Sequence, residues 1–515
     1  MYINNKILVG KNDSASCELL LSKANRHGLI TGATGSGKTV TVKVLAESFS
    51  DAGVPVFLAD VKGDLAGCAS IGEANDKINE RINKLNLEGF YFESYPVHFW
   101  DLFGMKGHPV RVKVSDVGSE ILSIMLGLSE TQEGVLAIVF KIAKDENFKL
   151  VDLKDLRAAL QYVGDNRKKY ATSYGNVTIQ SIGGIQRSLL ILENQGANNF
   201  FGEPSLDIKD FIRCSSDGRG IINILDAVEL FKSPDLYASF LLWLLTSLYN
   251  TLEEVGDLDK PKIVFFFDEA HLLFNNMPAY RLKQITRIVK LIRSKGIGLY
   301  FISQGPTDIP DDISSQLANR IQHSLHAYTP SEMRVVTAAA DSFRTNPSFN
   351  TKDAILELGT GEALVSFIDE KGLPNIVEKV TILPPQSKIG TIDDLTRNKV
   401  INSSEFAGKY DVKIDSESAY DTITKKTQDN FASQDEVENL DDLTETEKFQ
   451  RKMKQEDENL EELTETEKFQ RKMKMEKETK NKKDPVDRIG RKVTTQVENT
   501  LIRKSVNKII NGLFK

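Results

Sequence analysis

The chain has 515 residues, room for one enlarged α/β domain with appendages or for two or three domains. Its hydrophobic content of 40% supports a proper core, and Cys17, Cys68 and Cys214 lie too far apart for a zinc site or a disulfide framework. A net charge of −7 argues against a generally basic nucleic-acid binder, while leaving room for a local basic channel.

The first residues lack signal-peptide architecture and no apolar run approaches membrane-spanning length, so a cytoplasmic protein is expected. Residues 28–39 form a short apolar strand running into Gly32-Ala33-Thr34-Gly35-Ser36-Gly37-Lys38-Thr39. This is the P-loop pattern: glycines let backbone N–H groups curl around phosphates, Lys38 reaches the β/γ-phosphates, and the Thr39 hydroxyl ligates Mg²⁺. A helix from Val40 to Phe49 should aim its N-terminal dipole at the same phosphates. Next comes a strand, Val56–Ala59, ending in Asp60-Val61-Lys62-Gly63-Asp64. That places two carboxylates and a lysine at the C-terminal edge of a parallel strand, where α/β folds bind ligands. From Val117 to about Gly196 the sequence reads mainly helical, and a helical insertion is expected over about 105–220. A buried strand at Ile221–Leu225 and a long apolar helix from Pro234 to about Val255 follow.

Ile263–Phe267 then runs into Asp268 and Glu269, the form of a Walker B strand. Asp268 would hold Mg²⁺, directly or through water, and Glu269 would orient and activate the attacking water. Together the two motifs imply hydrolysis of a nucleoside triphosphate, with ATP expected. Beyond them, Leu282, Ile285, Val289 and Ile292 recur at helical spacing, among six cations from Arg281 to Lys295 with no acid between. The strand Ile297–Ser303 ends at Gln304, placed to sense the γ-phosphate from beside Walker B.

After Gln386 the chain becomes polar, charged and glycine-poor, so the ATPase body is expected to occupy 1–385 and a flexible charged linker 386–485. Within the linker, Glu438–Lys454 recurs as Glu458–Lys474 with period 20, each copy opening on a capping box (Thr444/Glu447 and Thr464/Glu467). The spacing over residues 486–515 predicts a basic amphipathic helix suited to docking on its own core or a partner subunit, to a peripheral membrane contact or to nucleic acid.

The chain resembles the bacterial HerA-like ATPases of the YjgR type, within the HerA–FtsK group of motor ATPases. The matching pieces are Ile30–Thr39, Asp60–Asp64, Thr131–Leu136, Phe200–Pro204, Phe267–His271, Ser303–Pro306, Asn319–His323 and Gly361–Ser366, in order. The resemblance implies a RecA-like P-loop core of the α/β class with a mainly parallel sheet. It implies a homo-oligomer, a hexameric ring, that couples ATP hydrolysis to sequence-independent movement along DNA. It also implies an arginine finger donated across the subunit interface, with Arg293 the best match and Arg287 and Arg320 in reserve. Two departures stand out: fewer than thirty-two residues precede Gly32, too few for the N-terminal β-barrel of archaeal HerA, and His326 replaces a common arginine. The competing reading is an ATP-driven motor or switch acting on protein partners or at a membrane surface, without DNA.

Overall fold

A computed structural model describes residues 1–256, 258–274 and 279–435 of the chain. Among them one 13-stranded sheet organises everything else. From His108–Pro109 it runs through Val97–Asp101, Ile222–Asp226, Val56–Asp60, Ile263–Phe267, Ile297–Ser303 and Gly28–Thr31 to Asn319–Gln322, and every neighbouring pair is parallel. Antiparallel strands extend it: Glu362–Ser366, Glu378–Ile382, and a hairpin of Lys6–Lys11 with Ser16–Leu20.

Side chains on the central strands alternate between two cores, as the two-residue period of a strand requires. Phe265, Phe267, Leu299 and Phe301 face a large core shared with the helical insertion and with the helix Pro234–Thr251. Val264, Phe266, Tyr300 and Ile302 face the other side, against Val42, Leu45 and Phe49 of the helix Lys38–Asp51. With both faces covered, these strands read as unbroken apolar runs. The insertion comprises the helices Val114–Leu126, Glu130–Asp145, Leu153–Asp165, Arg167–Tyr174 and Ile179–Asn194, between His108–Pro109 and Ile222–Asp226.

The helix Lys38–Asp51 leaves the strand Gly28–Thr31 and leads to Val56–Asp60, three strand positions away. Ile263–Phe267 and Ile297–Ser303 fill that gap later in the sequence. Such a crossover opens a crevice at the C-terminal ends of the strands, where α/β sheets bind ligands.

Compact packing continues past the boundary expected at Gln386: one unit spans Met1–Thr427. Arg397 stacks on Phe99, its guanidinium carbon 4.5 Å from the ring centroid, and pairs with Asp226 at 3.4 Å. Phe406 and Tyr410 lie against Trp100, and Ala419 and Ile423 complete the same core. A few such anchors hold a mostly solvated stretch, and composition averages them away. The 438–474 repeat and residues 486–515 lie outside the described residues.

The helix Lys38–Asp51 is itself tied to this segment by two buried charges. Glu47 accepts hydrogen bonds from the Gln386 and Ser387 amides at 2.8 and 3.1 Å and from the Ser387 hydroxyl, while Lys43 donates to the Lys388 carbonyl at 2.7 Å. Burial pushes the Glu47 carboxyl above its usual range, against the pull of Lys43 and these donors. Glu47→Ala strands the buried donors and should cost about 3 kcal/mol, the order of a lost buried acceptor. Glu47→Gln keeps an acceptor and should cost less. Denaturant titration of both variants checks this, and equal losses would refute the assigned role.

Candidate active site

The P-loop is shaped by close approaches as much as by its own turns. Gly37 has φ 114°, a conformation L side chains rarely adopt, and a Cβ there would sit 3.2 Å from Gly361. At Gly32 a Cβ would meet that of His323 at 2.5 Å. Backbone bonds from Ala33 to Ser324 and from Gly361 to Ser36, at 2.8 and 2.9 Å, clamp the loop on its outer side. The helix Lys38–Asp51 has no side-chain cap, so its leading N–H groups are available to an anion. Lys38 is 7% exposed, and its ammonium donates to the Gly32 and Ala33 carbonyls at 2.6 and 3.0 Å across the mouth of the loop. Burial, then the neighbouring Lys62, lowers its pKa, against the pull of Glu269 and Asp268.

Thr39 and Asp268 line one small cavity between the P-loop helix and the strand Ile263–Phe267. A hydroxyl and a single carboxylate suit Mg²⁺, which takes one or two protein oxygens and completes its shell with waters and phosphate oxygens. Burial pushes the Asp268 carboxyl up to about 6, with Lys62 opposing, and Asp268 accepts from the Glu269 amide at 2.9 Å. A bound cation would hold that carboxyl ionised.

Glu269 has φ 48°, strained for a residue with a Cβ, and such strain gathers at functional sites. The turn aims its carboxylate back across the sheet edge. There Lys62 Nζ lies 2.6 Å from Oε1, while Gln304 Nε2 and His271 Nδ1 each lie 3.4 Å from Oε2. Burial raises the Glu269 pKa, but the Lys62 bond and charge outweigh it and hold the carboxyl below the usual range. Gln304 follows a strand paired in parallel with both Gly28–Thr31 and Ile263–Phe267, so it emerges between the P-loop and Glu269. Asp308 fixes the turn behind it by accepting from the Ser303 hydroxyl and the Gly305 amide, at 2.6 and 2.8 Å.

Lys38, Thr39, Asp268, Glu269 and Gln304 therefore converge at one edge, and Arg293 does not join them. Arg293 lies in the turn before Ile297, at the opposite end of the strand that leads to Gln304. Seven strand residues separate the two positions by about 20 Å. Arg320 is spent inside the fold, donating to the Ser314 and Leu317 carbonyls at 2.9 and 3.2 Å. Arg287 is exposed on the helix Ala279–Ile292.

Two contacts of residues in the motifs Asp60–Asp64 and Asn319–His323 carry no local signal in the sequence. Lys62 is a lone cation in a charged turn until the fold brings it to a glutamate some two hundred positions away. His323 is fully buried, with Nε2 2.9 Å from the Thr41 hydroxyl and Nδ1 3.0 Å from the Glu362 carbonyl. Burial lowers its pKa to about 4, so a neutral ring pins the P-loop helix to the neighbouring strand.

A family model described as helicase HerA-like C-terminal matches residues 5–513. The DNA double-strand break repair helicase HerA of Saccharolobus solfataricus is 25% identical over 400 residues, covering 77% of this chain and 69% of the relative. Its counterpart in Sulfolobus acidocaldarius is 24% identical over 378 residues, covering 73% and 67%. Among solved structures, the bacterial conjugative coupling protein TrwB aligns with 73% of this chain and 89% of its own, at 14% identity and a TM-score of 0.47. Phosphate-loop and Walker B residues meet at one sheet edge, and the family match spans nearly the whole chain; the protein is a P-loop ATPase and belongs to the helicase HerA-like family.

Proposed function

We propose that the protein is an ATP-hydrolysing motor that translocates along DNA as a ring of identical subunits. The observation that carries the proposal is the convergence of Lys38, Asp268, Glu269 and Gln304 at one edge. Lys38 and the P-loop amides hold the β/γ-phosphates, and Thr39 with Asp268 holds Mg²⁺, which neutralises phosphate charge when bound. Glu269 takes the proton of the attacking water, and Gln304 positions that water against the γ-phosphate. Lys38→Ala should abolish nucleotide binding or turnover. Glu269→Gln should bind ATP and fail to hydrolyse it, because an amide orients water but accepts no proton. Normal hydrolysis by Glu269→Gln would remove Glu269 from its role.

The distance between Arg293 and its own P-loop supports a finger delivered to a neighbouring subunit. Turnover per subunit should then rise with protein concentration. Arg293→Ala should bind ATP without hydrolysing it, and mixing it with Glu269→Gln should restore activity at interfaces holding one intact composite site. Verified mixed rings without rescue would assign the finger elsewhere.

Relatives named as DNA double-strand break repair helicases favour DNA as the track. So does the helix Ala279–Ile292, whose exposed Lys283, Arg287 and Lys290 recur at helical spacing on one face. Phosphate contacts release counterions, so affinity should fall steeply with salt and depend little on sequence. Lys283→Gln with Lys290→Gln should lower DNA stimulation, spare basal turnover, and reduce the salt slope by about one per lost contact. Assembled, ATP-loaded protein that binds no DNA would give the case to a motor acting on protein partners.

A further inference from the structure

The ion pair between Lys62 and Glu269 poses a problem for the chemistry just assigned. An ammonium 2.6 Å from one carboxylate oxygen occupies one of its lone pairs and lowers the basicity of the whole group, and the other oxygen faces Gln304 and His271. Glu269 becomes the stronger base when Lys62 leaves.

We propose that Lys62 is a γ-phosphate ligand with two positions, held on Glu269 until the triphosphate arrives and then transferred to the γ-phosphate, which frees Glu269 to activate water. The inference rests on the reading of Glu269 as the proton acceptor. No covalent bond changes in the exchange; one ion pair replaces another.

Three observations support it. First, Lys62 can move while its backbone cannot. Asp60 accepts from the Gly63 and Leu65 amides at 2.7 and 3.1 Å, fixing the turn, whereas the Lys62 side chain is 40% exposed against 8% for Glu269. Second, the new position is near. An attacking water lies about 3 Å from its base and about 3–3.5 Å from the atom it attacks, so the γ-phosphate falls within the swing of a lysyl stem. Third, the charge that arrives with the nucleotide favours the transfer. Asp268 and Asp64 attract Lys62 where it stands and Lys38 repels it from the P-loop, so only a stronger anion can move it. A γ-phosphate brings more negative charge than one carboxylate and outcompetes it for the ammonium. ADP lacks that group and would leave the pair closed.

The test measures affinity of the full chain for Mg²⁺-ADP and for a Mg²⁺-bound non-hydrolysable ATP analogue. Lys62→Met should lose about tenfold or more for the analogue, the scale of one charged hydrogen bond, and nothing for ADP. Lys62→Arg should keep most of the discrimination. Glu269→Gln releases Lys62, so it should bind the analogue several-fold more tightly when Lys62 is present, and gain nothing in a Lys62→Met background. An unchanged analogue-to-ADP ratio in Lys62→Met, or an equal gain from Glu269→Gln in both backgrounds, overturns the proposal. Lys38→Ala separates this failure from that of the underlying site: if it still binds both nucleotides normally, the P-loop reading itself is wrong.

Discussion

Parallel pairing of Gly28–Thr31, Ile297–Ser303 and Ile263–Phe267 places Ser303 opposite Thr31 and Phe301 opposite Phe267. The residues that follow each strand therefore emerge at the same edge: Gly32 opens the P-loop, Gln304 begins a turn, and Asp268 and Glu269 end the third strand. A slip of one residue in either ladder would turn every strand side chain to the opposite face and misplace the site. The two apolar cores prevent it, because each strand buries large side chains on both sides.

Within that frame the site gathers cations and carboxylates that would repel or desolvate one another singly. Lys38 and Lys62 are neighbours, as are Asp268 and Glu269, and burial disfavours the charge on most of them. Lys62 makes the cluster tolerable, since both carboxylates feel its ammonium as strongly as they feel one another, while the Gly32 and Ala33 carbonyls hold Lys38. A polyanion with a divalent cation changes that balance at every member at once. The strained φ of Glu269 belongs to the same logic, because a relaxed turn would point the carboxylate away from Lys62 and Gln304.

What the sequence disclosed was local. The P-loop needs only eight consecutive residues, and Walker B only a strand with two acids after it. The helices of the insertion and Pro234–Thr251 follow from their own periodicity. Strand Val97–Asp101 escaped because His98 interrupts an apolar run only five residues long; the fold packs His98 and Trp100, two apart on one face, against Phe406, and the Trp100 indole donates to Asn223 at 3.0 Å. The packed segment beyond Gln386 escaped because its anchors are spread among solvated residues. Lys62 and His323 stood inside motifs the sequence displayed, but their partners, like those of Glu47, escaped: each is remote in sequence, and no spacing rule encodes such a pair.

The separation of Arg293 from Gln304 along one strand gives the proposed ring a mechanical link. Ile297–Ser303 is buried along its whole length and hydrogen-bonded on both sides. It cannot slide without breaking two ladders, so its ends move only as the sheet moves. In the proposed ring Gln304 would read the nucleotide of its own subunit, while Arg293, at the far end, would meet the nucleotide of the next. On that proposal, loss of a γ-phosphate under Gln304 would reach the neighbouring site as a rigid-body movement of the subunit. That would make relative subunit motion, the kind a translocating ring requires, an output of hydrolysis in the proposed assembly.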